Sequence, residues 1–154
     1  MECKTLILLV FAAGTFVLLG ASAGGDDWFI NATVRNGLWR YCVKVLDVCV
    51  TRDWDDISTK LHAIRAFAVL SVLFAGFGAL VSLVRLFKDM DGKSVSALFL
   101  GAGICMLIAV SIYTDDSRKL VEFLDSASYG WSFIFGWIGT IFSFLVSALA
   151  VCLK

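Results

Sequence analysis

The chain has 154 residues, 60% of them hydrophobic and 17% charged, with a formal net charge of zero. Globular domains typically use about 45–50% apolar residues, so this composition excludes an ordinary soluble domain and points to lipid. Zero net charge supplies no field for nucleic acid or a strongly acidic partner, and a chain without proline builds its helices without proline kinks.

Four stretches carry no charge: Thr5 to Gly25, Ala66 to Val84, Ser94 to Thr114 and Ser126 to Leu153. A bilayer core about 30 Å thick is crossed by roughly 20 helical residues. The stretches therefore predict spans at about 5–24, 64–86, 94–113 and 131–152, with Ser126 to Gly130 as loop. The first stretch has a rival reading. Met1 to Lys4 is a short charged start, and Ala21-Ser22-Ala23 fits a signal-peptidase site. Its apolar run exceeds the ~7–15 residues of a signal core, so a retained anchor and four spans are expected.

The first loop, about 25–62, alternates Trp28, Ile30, Ala32 and Val34 with Phe29, Asn31, Thr33 and Arg35. A period of two predicts a strand with one buried face. Asn36-Gly37 is a turn signal. Leu38 to Val43 and Val48 to Thr51 read as two further strands, placing Cys42 and Cys49 opposite each other across a hairpin as a local disulfide clamp. So small a loop buries little apolar area and needs a staple and a platform.

Arg85 to Lys93, with Asp91-Gly92, reads as a short turn between antiparallel helices. The second loop, about 114–130, starts charged and ends aromatic. Leu120, Phe123 and Leu124 have helical spacing, so the third helix is expected to continue past the membrane. Lysine and arginine set orientation weakly. The cysteine pair and the glycosylation sequon Asn31-Ala32-Thr33 belong on the oxidising side, which puts both termini in the cytosol of a multi-pass plasma-membrane protein.

Other residues have bland and sharp readings. Asp53, Asp55 and Asp56 are either a solvated face or a bias on ion passage. Arg65 is a charge at a span edge, where such groups snorkel or pair. Ala75 and Ala79, Ala97 and Gly101, and Ser143 and Ser147 have the small-residue spacing that lets helices approach, within one chain or between copies. Cys3 and Cys152 lie near the expected cytosolic boundary and are candidates for palmitoylation; Cys105 reads as packing. One histidine, no intramembrane acidic pair, no phosphate loop and no zinc spacing argue against an enzyme, a metal site or a cofactor. Spans without ionisable residues argue against transport.

Trp28, then Gly37-Leu38-Trp39, then Cys42 and Cys49 resemble the first-loop signature of the claudin superfamily. Within it, the resemblance is to the group of peripheral myelin protein, the epithelial membrane proteins and the lens fibre membrane intrinsic protein. Gly37-Leu38-Trp39-Arg40-Tyr41-Cys42 and Arg65-Ala66-Phe67 look like the lens protein. Ser111-Ile112-Tyr113-Thr114-Asp115 and Ser128-Tyr129-Gly130 look like the epithelial membrane proteins, and Trp131-Ser132-Phe133-Ile134 with Gly136-Trp137 fits both. The resemblance covers all four spans and both loops. It implies an all-α membrane protein: a four-transmembrane-helix bundle, one tetraspan domain over 1–154, carrying a small extracellular antiparallel β-sheet. It also implies an uncleaved first helix, Trp28, Leu38 and Trp39 as anchors of the loop on the bundle, and Arg65 tying the loop to the second helix. The chain ends at Lys154 without a tail for scaffold docking, a departure from claudins that weakens a junction-strand reading. The expected function is non-enzymatic: organising cell–cell contacts or membrane domains in a lipid bilayer, alone, as a homo-oligomer or with other membrane proteins. The alternatives are a claudin-like paracellular barrier or pore and an accessory subunit of a channel or receptor.

Overall fold

Hydrocarbon offers backbone groups no hydrogen-bond partner, so apolar stretches close their bonds locally as helices. The computed structural model describes residues 3–88, 91–123 and 127–152. Helix α1 spans Cys3–Gly24, α2 Thr59–Val84, α3 Lys93–Phe123 and α4 Trp131–Cys152. All four are long and apolar enough to cross a membrane. Helix α2 starts at Thr59, ahead of the apolar run, because Ser58 caps it: the Ser58 hydroxyl accepts from the Leu61 N–H at 3.3 Å. Helix α3 continues past its apolar run to Phe123. Leu124, also part of the spacing that foretold this extension, lies outside the described residues, as does Ser126.

The helices form a ring in which α1 packs on α2 and α4, and α3 packs on α2 and α4. Small residues set the closest approaches. A Cβ on Gly139 of α4 would lie 2.7 Å from Leu19 Cδ2 of α1, and one on Gly136 would lie 2.9 Å from both Ser22 Oγ and Val110 Cγ1. Ala75, Ser143 and Ser147 are also buried within the ring, while Ala97 faces outward. Hydroxyls inside the bundle turn back on their own helices. Thr15 donates to the Phe11 carbonyl, Ser82 to Gly78, Thr140 to Gly136 and Ser143 to Gly139, each at 2.8 Å. Between helices, Ser147 Oγ donates to the Ser96 carbonyl at 2.9 Å.

Both loops contribute to one sheet. Its strands are β1 Phe29–Ile30, β2 Val34–Asn36, β3 Arg40–Val43, β4 Val48–Thr51 and β5 Ser128–Tyr129. All pairs are antiparallel, in the order β4-β3-β2-β1-β5. Because the sheet takes strands from the α1–α2 and α3–α4 connections, both lie at one end of the bundle. The turn near Gly92 lies at the other, close to Ala150 of α4.

The structure corrects two expectations for the loops. The alternating run from Trp28 to Arg35 is not one strand. Asn31 Oδ1 accepts from the N–H groups of Thr33 and Val34, at 2.9 and 2.6 Å, and from the Thr33 hydroxyl at 3.1 Å. This side-chain turn folds the run back on itself as β1 and β2. The segment before Gly130, expected as loop, supplies β5, which pairs with β1 through Phe29 and Tyr129. In the hairpin, Cys42 and Cys49 are register partners joined by a disulfide.

Two predictions follow from this packing. Cys42→Ser should cost about 2–4 kcal/mol, a large share of the stability of so small a sheet. Reduced surface biotinylation with intracellular retention is the expected readout, and normal surface delivery would contradict it. Gly139→Val should lower bundle stability by about 1–3 kcal/mol, because Leu19 is already fully buried. Thermal unfolding in detergent micelles measures this.

Candidate functional site

A helix ends with carbonyls that have no partner within the helix. In lipid or at its edge, such groups need donors. The last turn of α1 finds them in the following loop. Trp28 Nε1 donates to the Ser22 carbonyl and Trp39 Nε1 to the Ala23 carbonyl, both at 2.8 Å. The two indoles thus cap α1 from outside. Trp28 is fully buried, with its ring edge-on to Tyr113 of α3 at 4.8 Å and Phe133 of α4 at 5.7 Å between centroids. Tyr129 of β5 stacks on Phe133 at 4.4 Å. One aromatic cluster therefore joins α3, α4, β5 and the loop leaving α1.

Arg65 of α2 makes the second fixing point. Its residue exposure is 3%, so its charge is withdrawn from water. Nε donates to the Leu38 carbonyl at 2.7 Å, and the guanidinium lies 4.9 Å from the Trp39 ring centroid. Among the described residues no carboxylate forms an ion pair with it. A carbonyl and a π face meet part of the guanidinium, while its Nη2 has no hydrogen-bond partner among the described residues. Leu38 is fully buried beside this contact. Gly37 is required by space: a Cβ there would lie 2.6 Å from Asp26 Cα. The signature residues Trp28, Gly37, Leu38, Trp39 and Arg65 thus meet at one joint between sheet and bundle.

Sequence reasoning missed a third set of contacts. Asp27, 8% exposed, accepts from the Trp131 indole N–H through Oδ2 and has Arg35 Nε 3.7 Å from Oδ1. Its backbone carbonyl accepts from Ser132 N at 3.2 Å. Asp26 pairs with Arg40, and this hydrogen bond, reinforced by charge, raises the Arg40 pKa above its ordinary value. The available signal was an acidic pair directly after an apolar span, with tryptophan opening the last span.

The remaining candidates lie apart from this joint. Asn31 sits in the β1–β2 turn. Asp53 and Asp55 are exposed around a short 3-10 turn, Trp54–Asp56, and the side chain of Asp56 lies outside the described residues. Cys3 and Cys152 are exposed at the helix ends opposite the sheet. The β3–β4 turn, residues 44–47, carries Val45 and Leu46 at 78% and 70% exposure, with Asp47 in the left-handed region at φ 49°. The site is thus a fixed platform with an apolar tip.

The sequence matches the PMP-22/EMP/MP20/Claudin family over residues 1–150. It is 30% identical to epithelial membrane protein 1 of Homo sapiens over 161 residues, covering 96% of this chain and 99% of that protein. It is 31% identical to epithelial membrane protein 1 of Oryctolagus cuniculus over 157 residues, covering 96% and 94%. Epithelial membrane protein 2 of Bos taurus is 25% identical over 157 residues, with the same coverage. The tryptophan-capped first helix, the arginine-tied loop and the clamped hairpin are therefore features of a multi-pass membrane protein that belongs to the PMP-22/EMP/MP20/Claudin family.

Proposed function

We propose that this chain organises cell–cell contacts or membrane domains at the plasma membrane, with its sheet outside the cell and both termini in the cytosol. The disulfide and the Asn31 sequon share the sheet end of the molecule, and both chemistries belong to the oxidising side of a membrane. The observation that carries the reading is an apolar tip on a fixed base. Val45 and Leu46 stand 78% and 70% exposed on a hairpin whose sheet is held by Trp28, Trp39 and Arg65. Apolar side chains presented together mark interaction surfaces, and a platform already ordered loses less entropy when it binds. Next to the tip, β4 is an edge strand exposed along its whole length and lacks the lysine or proline that blunts such edges.

A charge-selective paracellular pore is the competing reading, motivated by the exposed Asp53 and Asp55, which form no ion pair among the described residues. Arg35, Arg40, Lys44, Arg52 and Lys60 lie in the same loop region, and selection by charge wants an uncompensated field.

Expression in cells lacking junction strands is expected to enrich the protein at contacts. The double variant Val45→Ser with Leu46→Ser should reduce that enrichment several-fold at unchanged surface level. The sodium-to-chloride permeability ratio should stay constant. A shift in this ratio that vanishes when Asp53, Asp55 and Asp56 are changed to asparagine would reverse the choice between the two readings.

Arg65→Leu leaves the buried Leu38 carbonyl without a donor, at about 1–3 kcal/mol. The loop should then be cleaved faster by protease with its disulfide intact. Arg65→Lys should rescue only partly, since an ammonium lacks the planar face that stacks on Trp39.

A further inference from the structure

Beneath the sheet, on the α1–α4 side, lies a cleft of about 670 Å³. Gly24 and Gly25 at the end of α1 and Trp131 at the start of α4 form its floor; Arg35, Val43, Lys44, Asp47 and the Cys42–Cys49 bridge form its roof. Asp26 and Asp27 complete it. Both floor helices are membrane spans, and both meet the cleft at a terminus. The opening is therefore at the level of lipid headgroups, which flank the roughly 30 Å hydrocarbon core.

The lining holds charges of both signs; Asp27 faces Arg35 at 3.7 Å and Asp26 pairs with Arg40, while Lys44 and Asp47 carry the rest. Asp27 is nearly buried, and its Oδ1 has no hydrogen-bond donor among the described residues. Asp47 has no ion pair among the described residues. On the positive side, Lys44 Nζ donates to the neutral Asn31 carbonyl at 2.6 Å, so its charge is not cancelled by a carboxylate. Trp131 is 44% exposed at the rim, with its N–H committed to Asp27. An indole face beside carboxylates favours an organic cation, above all a quaternary ammonium, and an uncancelled lysine favours a phosphate. Among the described residues, no three His, Cys, Asp or Glu side chains gather as a metal site.

We propose that this cleft binds the phosphocholine headgroup of a membrane lipid, with phosphate at Lys44 and the ammonium between Trp131 and the carboxylates of Asp27 and Asp47. The acyl chains would descend along α1 and α4. Recognition of a zwitterion explains why the cleft carries both signs of charge at the bilayer surface. The inference rests on the membrane-spanning bundle and is independent of the contact role.

The full chain, reconstituted in nanodiscs with equal amounts of phosphatidylcholine and phosphatidylglycerol of the same acyl chains, is then examined for retained lipid by native mass spectrometry. Phosphatidylcholine should be retained at least fivefold over phosphatidylglycerol. Trp131→Leu should abolish the preference, whereas Trp131→Phe, which keeps a ring face, should preserve most of it. Lys44→Glu, which removes the partner of the phosphate, should lower phosphatidylcholine retention several-fold. An intact Cys42–Cys49 disulfide and unchanged helical circular dichroism establish that each variant is folded. The Val45→Ser, Leu46→Ser variant should keep the preference even if contact enrichment is lost, which separates the two roles. Equal retention of both lipids, a preference surviving Trp131→Leu, or phosphatidylcholine retention unchanged by Lys44→Glu, each in folded protein, would overturn the site. Soluble phosphocholine retained as well as the lipid would overturn its assignment to the membrane.

Discussion

The sheet end of this protein depends on how one helix ends. Helix α1 finishes at Gly24 without a basic residue in its last turn, and its final carbonyls need donors that lipid cannot supply. Two indole N–H groups from the next loop meet that need. A tryptophan can donate only through one nitrogen, while the rest of the side chain must be sheltered. Satisfying the helix end therefore fixes both rings. Trp28 then orients the aromatic cluster on α3 and α4, and Trp39 presents its face to Arg65. A backbone requirement in the membrane thereby becomes a rigid surface outside it.

This arrangement separates two sources of stability. Within the bundle, helices associate without a hydrophobic driving force, because lipid is as apolar as their side chains. Close approach at Gly136 and Gly139 and hydroxyls bonded to their own helix carry that part. At the sheet, water returns, and ion pairs, a disulfide and buried aromatics take over. The exposed pairs Lys60–Asp115 and Lys60–Asp116 contribute little by comparison.

Much of this architecture was legible in the chain because membrane helices announce themselves by what they lack. Four charge-free runs correspond to four helices, and two cysteines on successive predicted strands correspond to a clamped hairpin. Short strands are harder, since alternation over a few residues does not say where a turn interrupts it. Asn31 broke the Trp28–Arg35 run by using its own side chain as an acceptor, chemistry that composition alone does not reveal. Strand β5 has two residues and exists only because β1 lies beside it. Asp27 escaped notice for a related reason: its partner Trp131 lies far along the chain and Arg35 reaches it only because the chain reverses at Asn31.

The turn at Asn31 bears on the sugar that this residue is a candidate to carry. All three side-chain bonds of the turn end on Oδ1, beside the backbone bond from Asn31 N–H to the Val34 carbonyl, whereas an N-linked glycan is attached through Nδ2. Architecture and modification therefore draw on different atoms of one amide. The β1–β2 reversal can keep its geometry whether or not a glycan is attached to Nδ2, and the platform beneath it need not change with that modification.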